Sequence, residues 1–234
     1  MVDFVYEMFV EQVQKHGLEN AVARWEATGT HVDRLDELQK RYDDNLRKIT
    51  DGGPAIVGTG DKEPWYQGPL DSDPAWNSLV GELRRIGRGD QIPSLNASSS
   101  KVVAETPNPA TAPGGARGLV VGFVQSGKTT NFTAVAAKLA DLDYRAVIVL
   151  SGIHNALRRQ TQERLNEQLV SLNPERWFTA TTLDEDFWHN GSPAPHLTTP
   201  NKTMLIVAKK NARVLDRLLK WLKQDSASKA LQEA

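Results

Sequence analysis

There is no cysteine among the 234 residues, which excludes disulfides and thiolate metal sites outright. That absence suits a reducing cytoplasm. An excess of one charge is missing too. The chain sets 28 Lys and Arg against 29 Asp and Glu, a formal net charge of −1, which argues against a strongly basic nucleic-acid tail but not against local basic patches. Long apolar runs are also lacking: the longest are Leu119–Val121 and Ala146–Leu150, far short of the ~20 residues that span a bilayer. The opening MVDFVYEMFV carries Asp3 and Glu7 and has no basic start of the kind a signal peptide needs. A cytoplasmic protein without a membrane partner is the expectation. What is present, 39% hydrophobic and 24% charged residues, fits a globular chain of one large domain or two small ones.

The most informative stretch is Gly118 to Thr130, GLVVGFVQSGKTT. Within it Gly122 to Thr129 matches G-x-x-x-x-G-K-[ST], the phosphate-cradling P-loop. Two glycines allow the backbone to curl so that successive N–H groups converge on phosphate oxygens. In that chemistry Lys128 meets the β- and γ-phosphates of ATP, and the Thr129 hydroxyl binds Mg²⁺. Gly122, Gln125, Ser126, Gly127 and Thr130 complete the expected nucleotide site, and a following helix adds the positive end of its dipole. A chain of this length carries the pattern by accident about once in a hundred cases, so its surroundings decide. It needs a buried strand before it and a helix after it. Leu119–Val121 is the candidate strand, and Lys128 to Ala140 the candidate helix, with Phe132, Val135, Ala136 and Leu139 at helical spacing.

Before the motif, residues 1–105 read as mostly helical. One apolar stripe comprises Phe4, Val5, Met8, Phe9 and Val13, and another Val32, Leu35, Leu38, Tyr42, Leu46 and Ile49. Residues 51–72 carry loop chemistry around PWYQGP, where Trp65 and Tyr66 either anchor the loop or stack on a base. Asp73-Pro74 starts a helix with Trp76, Leu79, Val80, Leu83 and Ile86 on its inner face and Arg84, Arg85 and Arg88 at its end. Those arginines suit the helix dipole or a phosphate. Ser98–Val103 adds a helical turn or two. The Pro/Gly-rich connector 106–118, TPNPATAPGGARG, marks the domain boundary, and 119–234 forms the second domain.

After the motif, Ala146–Leu150 is a second apolar strand, which makes a β–α–β unit with parallel strands. Continuous apolar strands suit a sheet covered on both faces. Ser151-Gly152-Ile153-His154-Asn155 follows at the strand's C-terminal end, where open α/β sheets hold ligands. Asn155 is the expected N-cap of a helix with a core stripe of Leu157, Thr161, Leu165 and Leu169. Its other faces carry Arg158, Arg159, Gln160, Gln162 and Arg164, which describes a nucleic-acid grip and a solvated helix equally well. His154, alone, reads as a structural hydrogen-bonder or a base. Trp177–Thr182 is a third candidate strand, Asp184-Glu185-Asp186 an acidic turn, 189–203 a loop, and Thr203–Ala208 a fourth strand. Lys209-Lys210-Asn211 comes next, with Asn211 capping a helix built on Val214, Leu215, Leu218, Leu219 and Leu222.

Three stretches, GLVVGFVQSGKTTNFTAVAAKLAD, YRAVIVLSGIHNALRRQTQERL and LIVAKKNARVLDRLLKWL, resemble the Z-one domain family of P-loop ATPases, which are related to superfamily-two helicases and found in bacterial DNA-restriction and phage-defence systems. The resemblance spans roughly Pro64 to Leu222. It implies a RecA- or helicase-like parallel sheet with flanking helices, behind a helical N-terminal region. It implies that Ser151, His154, Asn155, Arg158, Arg159 and Gln160, with Lys209, Lys210 and Asn211, touch a nucleic-acid backbone, that DNA is the partner, and that other subunits of a restriction or defence system accompany it. One departure stands out. A helicase-like ATPase uses an apolar strand ending in acidic residues to hold Mg²⁺ and orient water, yet none of the four candidate strands ends in Asp or Glu. The expectation is an ATP-binding N-terminal piece of a longer ATPase that hydrolyses ATP poorly alone. Two alternatives remain: a self-contained P-loop kinase using Asp184 or Asp186, and a nucleic-acid-binding module with a vestigial P-loop.

Overall fold

A computed structural model describes residues 2–51, 65–111, 114–121, 128–188 and 191–224. The chain folds as two compact units that interleave in sequence: Met1–Asp73 with Gly87–Lys138, and Pro74–Ile86 with Leu139–Ala234. Among the described residues the architecture is α/β, mostly helical, with a three-stranded parallel sheet. No helix among the described residues is long and apolar enough to cross a membrane.

The first unit holds α1 (Phe4–His16), α2 (Leu18–Thr28), α3 (Leu35–Asp51), α5 (Ile92–Ala104) and most of α6 (Lys128–Asp141). Its core joins Tyr6, Phe9, Val10 and Val13 of α1 to Ala21 and Trp25 of α2 and to Leu35, Leu38 and Tyr42 of α3. The Phe9 ring meets Trp25 and Tyr42 edge-on at 5.4 and 6.3 Å, the arrangement aromatic quadrupoles favour. The apolar stripe of α1 is turned relative to the expected one. Phe4 and Met8 are exposed, because Tyr6 and Val10 take the inward positions beside Phe9 and Val13. Tyr6 tolerates burial because its Oη donates to Gln67 Oε1 at 2.9 Å and accepts from Asn45 Nδ2. Trp65 Nε1 donates to Thr106 O at 2.7 Å and Tyr66 is buried, so both rings anchor their loop. The Ser98–Val103 segment belongs to a full 13-residue helix, α5, which has Pro93 in its first turn.

The second unit is built on β1 (Ala146–Ser151), β2 (Trp177–Thr179) and β3 (Thr203–Lys209), in the order β1-β3-β2 and all parallel. Ala146 pairs with Met204 and Ser151 with Lys209, so β1 and β3 end side by side. The central strand reads Met-Leu-Ile-Val-Ala and every one of these residues is wholly buried, as a strand covered on both faces requires. Met204, Ile206 and Ala208 pack with Phe187, with Leu197 of α8 (Ala194–Thr198), and with Val214, Leu218 and Trp221 of α9 (Ala212–Leu222). Leu205 and Val207 point to the opposite face, the side of α7 (Asn155–Leu165), which continues into one π turn at Asn166–Val170. The remaining helix, α4 (Pro74–Arg85), buries Trp76, Leu79, Val80 and Leu83 but leaves Ile86 exposed.

Three expectations are corrected here. Leu119, Val120 and Val121 form no strand and are 86%, 56% and 84% exposed. A three-residue apolar run has few ladder bonds to offer, and β structure exists only where a neighbouring strand supplies the other half of each bond. Second, among the described residues β1 is an edge strand with Ile148 and Leu150 exposed, not a strand covered on both faces. Third, β2 stops at Thr179. Beyond it the Thr181 hydroxyl, not the main chain, accepts from Val207 N at 2.9 Å.

Candidate functional site

The candidate nucleotide site reaches the described residues only at its C-terminal end. Gly122, Gln125, Ser126 and Gly127 lie outside them. Lys128, Thr129 and Thr130 form the first turn of the 14-residue α6, where backbone N–H groups lack helical acceptors and the dipole is positive. Lys128 is exposed; the two threonines are half-buried. Two bonds steady this end. Thr133 Oγ1 donates to Thr129 O at 2.9 Å, and Asn131 Nδ2 donates to Ser98 Oγ of α5 at 2.8 Å. The buried residues of α6 are Thr133, Ala134, Ala136, Ala137, Lys138 and Ala140, so of the expected stripe Ala136 is buried whereas Phe132, Val135 and Leu139 are only half-buried. Small residues sit inward where the helix packs closely.

Lys138 is wholly buried on that face. Its Nζ donates to Asn96 O at 3.0 Å, Asn96 Oδ1 at 2.7 Å and Ser100 Oγ at 2.7 Å. Burial lowers its pKa to about 7, partly opposed by the charge of Asp73. At the end of the same helix Asp141 caps α4, its carboxylate accepting from Ala75 N at 3.0 Å and Trp76 N at 2.8 Å. Burial raises its pKa to about 6, against the pull of those two bonds. Neither role is visible in a pattern of residue types. The only signal for Lys138 is its place on the alanine-rich side of α6.

The second group of predicted residues meets at the C-terminal edge of the sheet. Because β1 and β3 end in register, Ser151 and Lys209 are neighbours, and Lys210 N donates to Ser151 O and Gly152 O. The Ser151 hydroxyl turns inward to Ala208 O at 3.3 Å. Lys209 Nζ donates to Asn155 Oδ1 at 2.7 Å and lies 3.6 Å from Asp186. Asp186 Oδ1 accepts from Phe187 N at 2.8 Å. The acidic turn is thereby tied to the end of β3. Asn211 caps α9 as expected, its Oδ1 accepting from Arg213 N at 3.0 Å. Asn155 does not cap α7: His154 holds the cap position and Asn155 opens the helix, its amide being engaged by Lys209.

Arg158 is a correction. It is buried, and its guanidinium donates to Thr182 O and Leu183 O. It holds the segment after β2 and is not presented to a nucleic-acid backbone. The buried stripe here is accordingly Arg158, Gln162, Leu165 and Leu169: of the expected Leu157, Thr161, Leu165 and Leu169 the last two are buried, while Arg158 and Gln162 take the inward places of the first two. Leu157 is exposed. Arginine can take this place because its methylenes pack as an apolar stem while the planar fork reaches two carbonyls. Gln162 is satisfied by the Thr181 hydroxyl, which donates to Gln162 Oε1 at 2.7 Å. The residues left at the surface of this edge are His154, Asn155, Arg159, Gln160, Lys210 and Asn211. Arg159 pairs with Asp184 at 2.6 Å, a contact between exposed groups that contributes little to stability.

No group of three or more potential metal-ligating His, Asp or Glu occurs among the described residues. Comparison of the chain with family models, curated proteins and solved structures found no match.

Proposed function

We propose that this chain is the ATP-binding N-terminal part of a helicase-like, nucleic-acid-dependent ATPase of a DNA-restriction or phage-defence system. The observation that carries the reading is the sequence GFVQSGKT running directly into α6, with Lys128, Thr129 and Thr130 in its first turn. These residues fit ATP and Mg²⁺: an exposed ammonium suits the β- and γ-phosphates, the Thr129 hydroxyl suits the metal, and the helix terminus favours an anion. Bound ATP would supply the phosphoanhydride to be cleaved. The protein's part in this chain is to orient those phosphates. The exposed amide-rich and basic residues of the sheet edge, Asn155, Arg159, Gln160, Lys210 and Asn211, are proposed to meet the DNA backbone.

The attacking water needs a carboxylate that the three strands among the described residues do not offer, since they end at Ser151, Thr179 and Lys209. Asp184 and Asp186, on which a self-contained kinase would depend, face Arg159 and Lys209 instead. Nucleotide binding without efficient turnover is therefore the expected behaviour. Titration with a fluorescent ATP analogue and Mg²⁺ tests it. Lys128→Ala should weaken binding about tenfold or more, in line with a lost charge-assisted contact. Robust ATP turnover by the 234-residue chain, abolished by Lys128→Ala, would refute the missing-carboxylate argument. Absence of ATP–Mg²⁺ binding at millimolar concentration would refute the site itself.

A further inference from the structure

Beyond the acidic turn the chain exposes an indole while holding both of its flanks. Phe187 is wholly buried, its ring edge-on to Trp221 at 5.3 Å. Trp221 Nε1 donates to Gly191 O at 2.7 Å. Between these two anchors Trp188 stands 61% exposed. The Arg217 guanidinium lies 3.9 Å from the centre of its ring and donates to Phe187 O at 3.2 Å. One side of the indole is thus backed by a cation whose own position is set by a main-chain bond. Arg217 also lines an open groove of about 380 Å³ along α9, together with Arg213, Asp216, Lys220, Trp221 and Gln224. Three cations there face one carboxylate, Asp216, which pairs with Lys220 at 2.8 Å.

We infer that Trp188 and the Arg213–Lys220 face of α9 form a stacking platform for single-stranded nucleic acid. A base stacks on the exposed part of the indole, and the adjoining phosphates meet Arg213, Arg217 and Lys220. Every base offers a π face, so an aromatic ring beside a positive groove binds single strands with little regard to sequence. The cation behind the ring adds to the attraction. A duplex keeps its bases stacked inside and has no use for the indole, and an acidic peptide would use the arginines but not the ring. The platform shares with the proposed function only the expectation of a nucleic-acid partner. It uses neither the P-loop nor the residues at the sheet edge.

The test is fluorescence anisotropy of a labelled fifteen-nucleotide oligo-dT with the full chain at low salt. Wild type should bind, and binding should weaken as salt rises. Trp188→Ala should weaken it about tenfold or more, the loss expected for one stacked base, while Trp188→Phe keeps most of the affinity. Arg213→Ala should also weaken it, and ATP–Mg²⁺ binding should be unchanged in Trp188→Ala. An unaltered melting temperature in Trp188→Ala, expected for an exposed ring, shows that the fold is intact. Three outcomes overturn the inference: no oligonucleotide binding by wild type at low salt, affinity indifferent to Trp188→Ala, or displacement of the oligonucleotide by polyglutamate as readily as by unlabelled oligo-dT. Loss of nucleotide binding in Lys128→Ala, or its persistence, bears on the proposed function alone.

Discussion

Lys138 makes the stability of the fold depend on pH in a calculable way. Its pKa is about 7 in the folded chain against an ordinary 10.5. The folded-state value is depressed, so between those two values the unfolded chain binds more protons, and stability rises with pH across that window. Below pH 7 the lysine is charged in both states and the burial penalty is complete. The full shift corresponds to about 5 kcal/mol at ~1.4 kcal/mol per unit. Linkage then gives a gain of about 2 kcal/mol from this group between pH 7 and pH 9. In Lys138→Met the titrating group is gone, and the acceptors at Asn96 and Ser100 lose their common donor. Those orphaned acceptors cost about 1–3 kcal/mol each and set the variant's absolute stability at every pH alike. The difference in pH dependence is therefore the clean observable. Urea unfolding followed by circular dichroism at pH 7 and pH 9 would measure it. Wild type should gain about 2 kcal/mol more than the variant over this interval. Parallel gains in the two proteins would refute the assignment of Lys138 as a buried, partly neutral amine.

Other outcomes follow from the same contacts. Arg158→Ala should lower stability by about 2–4 kcal/mol, since two carbonyls lose a charged donor and a buried stem is removed. Arg158→Lys should recover only part of that, because an ammonium cannot reproduce the planar fork; thermal melts of both variants decide it. Asp141→Ala should cost about 1–2 kcal/mol at neutral pH by uncapping α4, and Asp141→Asn less, because one amide oxygen still accepts. With its pKa raised to about 6 by burial, Asp141 contributes stability that is fully present below its ordinary value of 3.8 and is lost as pH rises toward 6. Asp141→Asn should remove that component from the acid limb of the unfolding profile. Trp221→Phe should cost about 1 kcal/mol for the lost indole bond to Gly191, measured by chemical denaturation.

Local chemistry was enough to read much of this chain. The helical stripe on α3, the Pro74 start of α4, the Asn211 cap and the apolar strands β1 and β3 all follow from spacing and propensity, which act within a few residues. The P-loop pattern is likewise read from neighbouring residues, but the placement of Ser151 beside Lys209 depends on β1 and β3 being paired in the sheet, which no local property decides. Tertiary structure alone decided the rest. Whether Leu119–Val121 becomes a strand depends on a partner that no local property supplies, and these residues are exposed. Which side of α7 faces inward was settled by Arg158, whose two carbonyl acceptors lie 24 and 25 residues away along the chain. Lys138 and Asp141 took on their altered protonation only through burial against segments distant in sequence. Propensity and periodicity are properties of neighbours along the chain, whereas pairing, satisfaction of buried polar groups and pKa depend on neighbours in space.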